Sequence, residues 1–134
     1  MGIVEELIKK GKLKSAVFSV DMIQKEYQVG QGDLESAKAS LSQGNFKWAT
    51  IQAYYGIFHG MRAIIYKEGL REESHSAVKA VLRERYLDTG RLSIETYNAF
   101  ERGMNLREMA DYKNTFSESA AQKLVESVEK AMVE

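Results

Sequence analysis

Three short stretches hold the side chains of this chain that could do chemistry. The first is Asn105-Leu106-Arg107-Glu108-Met109-Ala110-Asp111-Tyr112. Arg107 and Asp111 stand four apart, so on a helix they face one another and can form an ordinary surface ion pair worth about a few tenths of a kcal/mol. The chemical reading of the same residues is a phosphate site. Arg107 would offer its planar guanidinium to an oxyanion, Asp111 would orient it, and Tyr112 would add a hydroxyl or a stacking ring. Spacing alone favours the ion pair. The second stretch contains Tyr54, Tyr55, His59 and Arg62. Tyr55, His59 and Arg62 recur at i, i+4 and i+7, which puts a polar stripe on one face of an otherwise apolar helix. Such a face needs hydrogen-bond partners that a bundle can supply without any ligand, and a histidine there is more often structural than a base. The third is Ser74-His75-Ser76, where a helix start can hold an anion on its free N–H groups, although capping explains it equally well.

Much other chemistry is excluded. With no Cys there is no thiol catalysis, disulfide or cysteine zinc site. The two histidines, His59 and His75, sit in no HExxH motif and in no i, i+4 ligand pair, so neither a zinc site nor a di-iron bundle site is expected. No P-loop, strand-borne GxGxxG or GxSxG occurs, and no cofactor is implied. Nineteen basic side chains balance nineteen acidic ones, which argues against a basic nucleic-acid coat protein. Lys79, Arg83, Arg85, Arg91, Arg102 and Arg107 do gather in the second half. Glu84, Asp88, Glu95, Glu101 and Glu108 lie among them, the pattern of a mixed, solvated surface.

The elements that must position these groups read as all helix. The chain of 134 residues has no Pro, so only Gly, caps and changes of apolar period end a helix. Its length suits one domain, residues 1–134, that buries roughly two thirds of its unfolded surface. Ala16, Val20, Ile23, Tyr27, Gly30, Leu34, Ala37 and Leu41 form a stripe of alternating four- and three-residue steps. That predicts one helix from about Leu13 to Gln43, across Gly30 and Gly32, each costing about 1 kcal/mol relative to Ala. A break at those glycines is the alternative. A short helix from Ile3 to Lys10 is expected to be loosely attached. The second long helix, Phe46 to Lys67, is apolar around much of its circumference and belongs at the centre of a bundle. Its Gly56 and Gly60 lie one turn apart and allow a close backbone approach, read as packing within the bundle rather than a dimer seam. Gly69 ends it, and a polar loop follows.

Further helices are predicted from Ser74 to about Asp88, from Ser93 to about Ala110, and from Ser117 to about Val133. Their inward residues are Ala77, Val78, Val81 and Leu82; Ile94, Tyr97, Phe100 and Met104; and Ala121, Leu124, Val125, Val128 and Met132. The sum is an all-α, antiparallel four- to five-helix up-and-down bundle. No run of about 18 apolar residues is present, so no membrane span is expected. The opening MGIVEELIKKGK places acids in its short apolar stretch, unlike a signal peptide, and a cytoplasmic location is expected.

Four pieces in this order resemble the HEPN domain family of small helical bundles. They are Asp33, Leu34, Ala37 and Leu41 followed by Gly44, Asn45 and Phe46; Trp48-Ala49 through Ala53-Tyr54-Tyr55 with Met61-Arg62-Ala63; Ser74-His75; and Arg107-x-x-Ala110-Asp111-Tyr112. The resemblance covers about residues 20–133 and implies a homodimer with its Arg-containing segments near a shared cleft. It also implies a minimal nucleotidyltransferase protein as partner, in a toxin–antitoxin pair. Some members cut RNA without metal through Arg, four to six residues, then His. Here Glu108 follows Arg107, no His occurs after His75, and Tyr112 stands five residues beyond Arg107. Tyr, with an ordinary pKa of about 10, is a poor base beside His. The leading expectation is therefore a homodimeric module binding a nucleotide, RNA or a nucleotidyltransferase partner through Arg107, Asp111 and Tyr112, with Tyr55 and His59 as further candidates. The second is a metal-independent endoribonuclease using Arg107 with Tyr112 or His75. The third is a purely structural dimerisation bundle.

Overall fold

A computed structural model describes residues 2–133. Its elements are α1 (Ile3–Lys9), β1 (Leu13–Ser15), α2 (Val20–Ser42), α3 (Phe46–Lys67), β2 (Leu70–Glu72), α4 (His75–Leu82), α5 (Ile94–Tyr112) and α6 (Glu118–Met132). A five-residue π turn, Arg83–Leu87, prolongs α4. The architecture is the expected all-α bundle with one small sheet added. Helix starts follow side-chain caps: the hydroxyls of Ser19, Ser74, Ser93 and Ser117 accept from backbone N–H groups three residues on, and the Asn45 carboxamide does the same for α3. Gly44 and Gly69, both with positive φ, close α2 and α3.

The first long helix starts later than its stripe predicts. Leu13–Ser15 instead pairs antiparallel with Leu70–Glu72, in the register Leu13 with Glu72 and Ser15 with Leu70. Leu13 and Leu70 are buried by this pairing, whereas Val20, which fits the helical stripe, is 69% exposed. Strands of three residues are too short to reveal a two-residue period, so nothing local separates Leu13–Ser15 from the helix predicted to begin there. Beyond Ser19 the prediction holds: α2 is continuous through Gly30 and Gly32. The short N-terminal helix, expected to be loosely attached, has Val4 fully buried and packs on β1 and α4.

Helix α3 is the hub, antiparallel to α2 and packed against α5 and α6. It contributes Tyr54, Ile57 and Phe58 to a core completed by Phe100, Val81 and Leu124. Gly30 and Gly56 mark the closest crossing of α2 and α3: a Cβ at Gly30 would lie 2.6 Å from the Gly56 carbonyl oxygen. Gly56 therefore serves packing within the bundle. Gly60 does not share that role, because a Cβ there would meet nothing nearer than Met132 Cε at 3.7 Å. On α5, Tyr97 and Phe100 point inward as expected, but Ile94 is half exposed at the helix start. Among the described residues no helix is long and apolar enough to cross a membrane.

Candidate functional site

The three stretches singled out in the sequence meet on one half-buried face of α3. Tyr55, His59 and Arg62 recur on that face, as their spacing requires. Helix α2 brings Glu26 and Asp33 against its outer half. His59 Nδ1 lies 2.6 Å from Glu26 Oε1, and His59 Nε2 is 3.6 Å from Asp33 Oδ2. Arg62 bridges two acids: Nη1 reaches Glu26 Oε1 at 3.3 Å, while Nε and Nη2 reach Glu72 Oε2 at 2.8 and 2.6 Å. Glu72 comes from β2, so the unforeseen sheet delivers the acid that fixes Arg62.

Towards the other end of the face, α5 supplies Arg107. Its Nη2 donates to Tyr55 Oη at 2.8 Å and lies 3.3 Å from Asp111 Oδ2. Its guanidinium carbon packs 5.5 Å from the Tyr55 ring centroid and 5.1 Å from that of Tyr112. Tyr112 itself is 71% exposed. The predicted Arg107–Asp111 pair thus exists, but the more constraining partner is Tyr55, 52 residues away in sequence. Arg107 Nε is buried with no hydrogen-bond partner among the described residues.

His75, at the start of α4, enters the same site. Its Nδ1 is hydrogen bonded to Tyr54 Oη. Its ring stacks on Phe58 with centroids 4.1 Å apart, and the Tyr55 ring stands edge-on at 6.5 Å. Burial pushes the His75 imidazole below its usual 6.5, and the Arg107 and Arg62 charges push it further. Burial, with Tyr55 beside it, raises the Tyr54 phenol well above 10. Asp33 is raised chiefly by burial, helped by Glu26 and opposed by His59. For Arg107 and Arg62 burial opposes the cation, but their tyrosine and carboxylate neighbours outweigh it and both pKa values rise. At neutral pH the face therefore presents two fixed guanidinia and an uncharged His75.

The other sequence features resolve into structure. Ser74 caps α4, with Ala77 N donating to its Oγ at 3.3 Å. Three of the basic residues of the second half are taken up in pairs: Lys79 with Glu101 at 2.7 Å, Arg85 with Glu68 at 3.4 Å, and Arg91 over the Tyr86 ring. Glu72 precedes His75 by three residues, a di-iron ligand spacing. Glu72 is engaged by Arg62 and His75 by Tyr54, and no cluster able to hold a metal forms among the described residues.

A groove of about 650 Å³ lies on the opposite face of α3, between α2 and α6. It is lined by Ile23, Ile57, Ile64 and Met132, with Lys67 its one charged lining residue. Gln24, Gln28 and Gln31 also line it, but the titratable groups with shifted pKa values gather on the polar face, which is therefore the better candidate for chemistry. Glu26, Asp33 and Glu72 are the site residues that the three stretches did not contain. Glu26 and Asp33, at i and i+7, were the available signal, since both fall on one face of α2.

Comparison with known sequences adds the family. The HEPN domain matches residues 24–133. The chain belongs to the HEPN domain family. A UPF0332 protein of Thermotoga maritima is 28% identical over 79 residues, which are 59% of this HEPN chain and 60% of that relative. The chain therefore spans less than two thirds of that relative's length. A protein of Methanocaldococcus jannaschii, described as a "putative toxin", is 26% identical over 120 residues, 84% of this chain and 90% of its own.

Proposed function

We propose that this chain is a toxin-like HEPN module that acts as a homodimer and binds RNA by its phosphodiester backbone at Arg107. The observation that carries the reading is the convergence of Arg107, Tyr55, Tyr112 and His75, from three helices, on one half-buried face. Tyr55 and Tyr112 hold the guanidinium before any ligand arrives, which lowers the ordering entropy of binding. A planar, permanently charged fork then meets a phosphate with matching geometry. The toxin-like character rests on the family and on the similarity to the M. jannaschii protein. A minimal nucleotidyltransferase protein is the proposed regulatory partner, on the strength of the family resemblance, and a free nucleotide is the smallest ligand with the same phosphate chemistry.

A second reading is a metal-independent endoribonuclease, favoured by His75, whose ring meets the same Tyr55 that accepts from Arg107. Arg107 would stabilise charge developing on phosphorus while His75 or Tyr112 moved protons. One experiment separates the two. The protein and an Arg107→Ala variant are incubated with a labelled mixed RNA pool in chelator, and binding and cleavage are read together. Binding without cleavage, weakened about tenfold or more in the variant as for a lost charge-assisted hydrogen bond, supports the first reading. Cleavage that disappears in the variant supports the second. Neither binding nor cleavage leaves a structural dimerisation bundle.

A further inference from the structure

We infer that His75 donates a hydrogen bond through Nε2 to the same ligand that Arg107 holds, and that Tyr54 is the positioning residue that makes it a donor. The inference rests on the Arg107 binding site proposed above. Tyr54 is buried, only 1% exposed, and its hydroxyl is hydrogen bonded to His75 Nδ1. A buried phenol must place its single proton on an acceptor. Among the described residues His75 Nδ1 is that acceptor. Burial disfavours the phenolate, so Tyr54 keeps its proton to give. A neutral imidazole that accepts at Nδ1 carries its own proton on Nε2, which has no protein partner among the described residues.

The surroundings fix both the charge and the direction of that donor. Arg107 and Arg62 face the ring and oppose an imidazolium, with His59 adding to them and Glu72 acting against them. Phe58 holds one ring face by stacking, and Tyr55, whose hydroxyl accepts from Arg107, holds an edge. A charged donor on α5 and a neutral donor on α4 thus flank Tyr55. Two donors of this kind suit a ligand with two acceptor oxygens on one centre, which a phosphodiester has. The same bond works against His75 as a general base. Its Nε2 is occupied by a proton, and Nδ1 is occupied by Tyr54.

The test reads the tautomer and the affinity in the full chain. Nitrogen-15 spectra of the His75 ring are recorded for the wild type and Tyr54→Phe, which keeps the aromatic ring and removes only the hydroxyl. Binding of a short fluorescein-labelled single-stranded RNA is followed by anisotropy for both. The wild type is expected to show the Nε2–H form. Tyr54→Phe is expected to show mixed tautomers and affinity lower by about two- to tenfold, the range for one net hydrogen bond. An Nδ1–H wild type overturns the inference, as does a changed tautomer with unchanged affinity. If Tyr54→Phe does not fold, His75→Gln, which retains an amide donor, should bind RNA more tightly than His75→Leu, and equal affinity overturns the inference. Absence of RNA binding by the wild type overturns the Arg107 reading and the ligand half of this inference. The Nε2–H signal reports on Tyr54 separately from that outcome.

Discussion

Gly30 and Gly32 sit two residues apart in the same helix, and Ala at each should have opposite effects. At Gly32 a Cβ meets nothing within 4 Å. Ala there removes backbone freedom from the unfolded chain and should stabilise by about 0.5–1 kcal/mol. At Gly30 the same Cβ would lie 2.6 Å from the Gly56 carbonyl oxygen, 3.2 Å from His59 Cβ and 3.3 Å from Gly60 N, against the 3.4 Å at which ordinary contact begins. The nearest obstacle is backbone, so relief requires α2 and α3 to part along their whole crossing. Overpacking of that kind costs about 1–3 kcal/mol, which the propensity gain of about 1 kcal/mol offsets only in part. Gly30→Ala should therefore lose up to about 2 kcal/mol while Gly32→Ala gains, a difference of several degrees in Tm for a domain of this size. Parallel thermal and urea unfolding would measure it. Because Glu26 reaches His59 across the same crossing, Gly30→Ala should also disturb that pair, visible in the His59 ring resonances. Equal Tm shifts in the two variants would refute the close-crossing argument.

Two further perturbations bear on the polar face. Asp111 competes with a phosphate for Arg107 Nη2 at 3.3 Å, while Tyr55 already fixes the guanidinium. Asp111→Asn should raise RNA affinity by about two- to fivefold, the scale of a partly exposed ion pair, and lower affinity in the same anisotropy assay would show that Asp111 orients the cation instead. The pH dependence follows from His75, whose folded pKa lies below the unfolded value of 6.5. The unfolded chain binds the proton first, so this contribution to stability is present above 6.5 and is lost as pH falls from 6.5 through the folded value. His75→Gln should flatten that slope in urea unfolding measured between about pH 5 and pH 8, and identical slopes would exclude the contribution.

What the sequence made legible was local. The bounds of α3, the serine starts of α4, α5 and α6, and the left-handed closure at Gly44 all depend on residues within one or two turns, and they appear as read. The Arg107–Asp111 pair and the Tyr55–His59–Arg62 stripe are local for the same reason. The start of α2 is not legible in the sequence because a three-residue strand yields no period of its own. Leu13–Ser15 takes its conformation from a partner, Leu70–Glu72, more than fifty residues further along the chain.

The candidate site was legible only as fragments. Backbone periodicity and capping are set by neighbours in the chain, so the sequence by itself determined a helical bundle, its helix starts and which polar residues share a face. It could not determine which faces meet. Tyr54 bonds His75 across 21 residues, His59 bonds Glu26 across 33, and Arg107 bonds Tyr55 across 52. Such contacts depend on how α2, α3 and α5 dock, and docking is decided by the close crossing at Gly30 and Gly56 and by the shared core around Tyr54, Phe58 and Phe100. Tertiary packing alone turned three unremarkable clusters into one face, because only there do burial and neighbouring charge act on the same few groups.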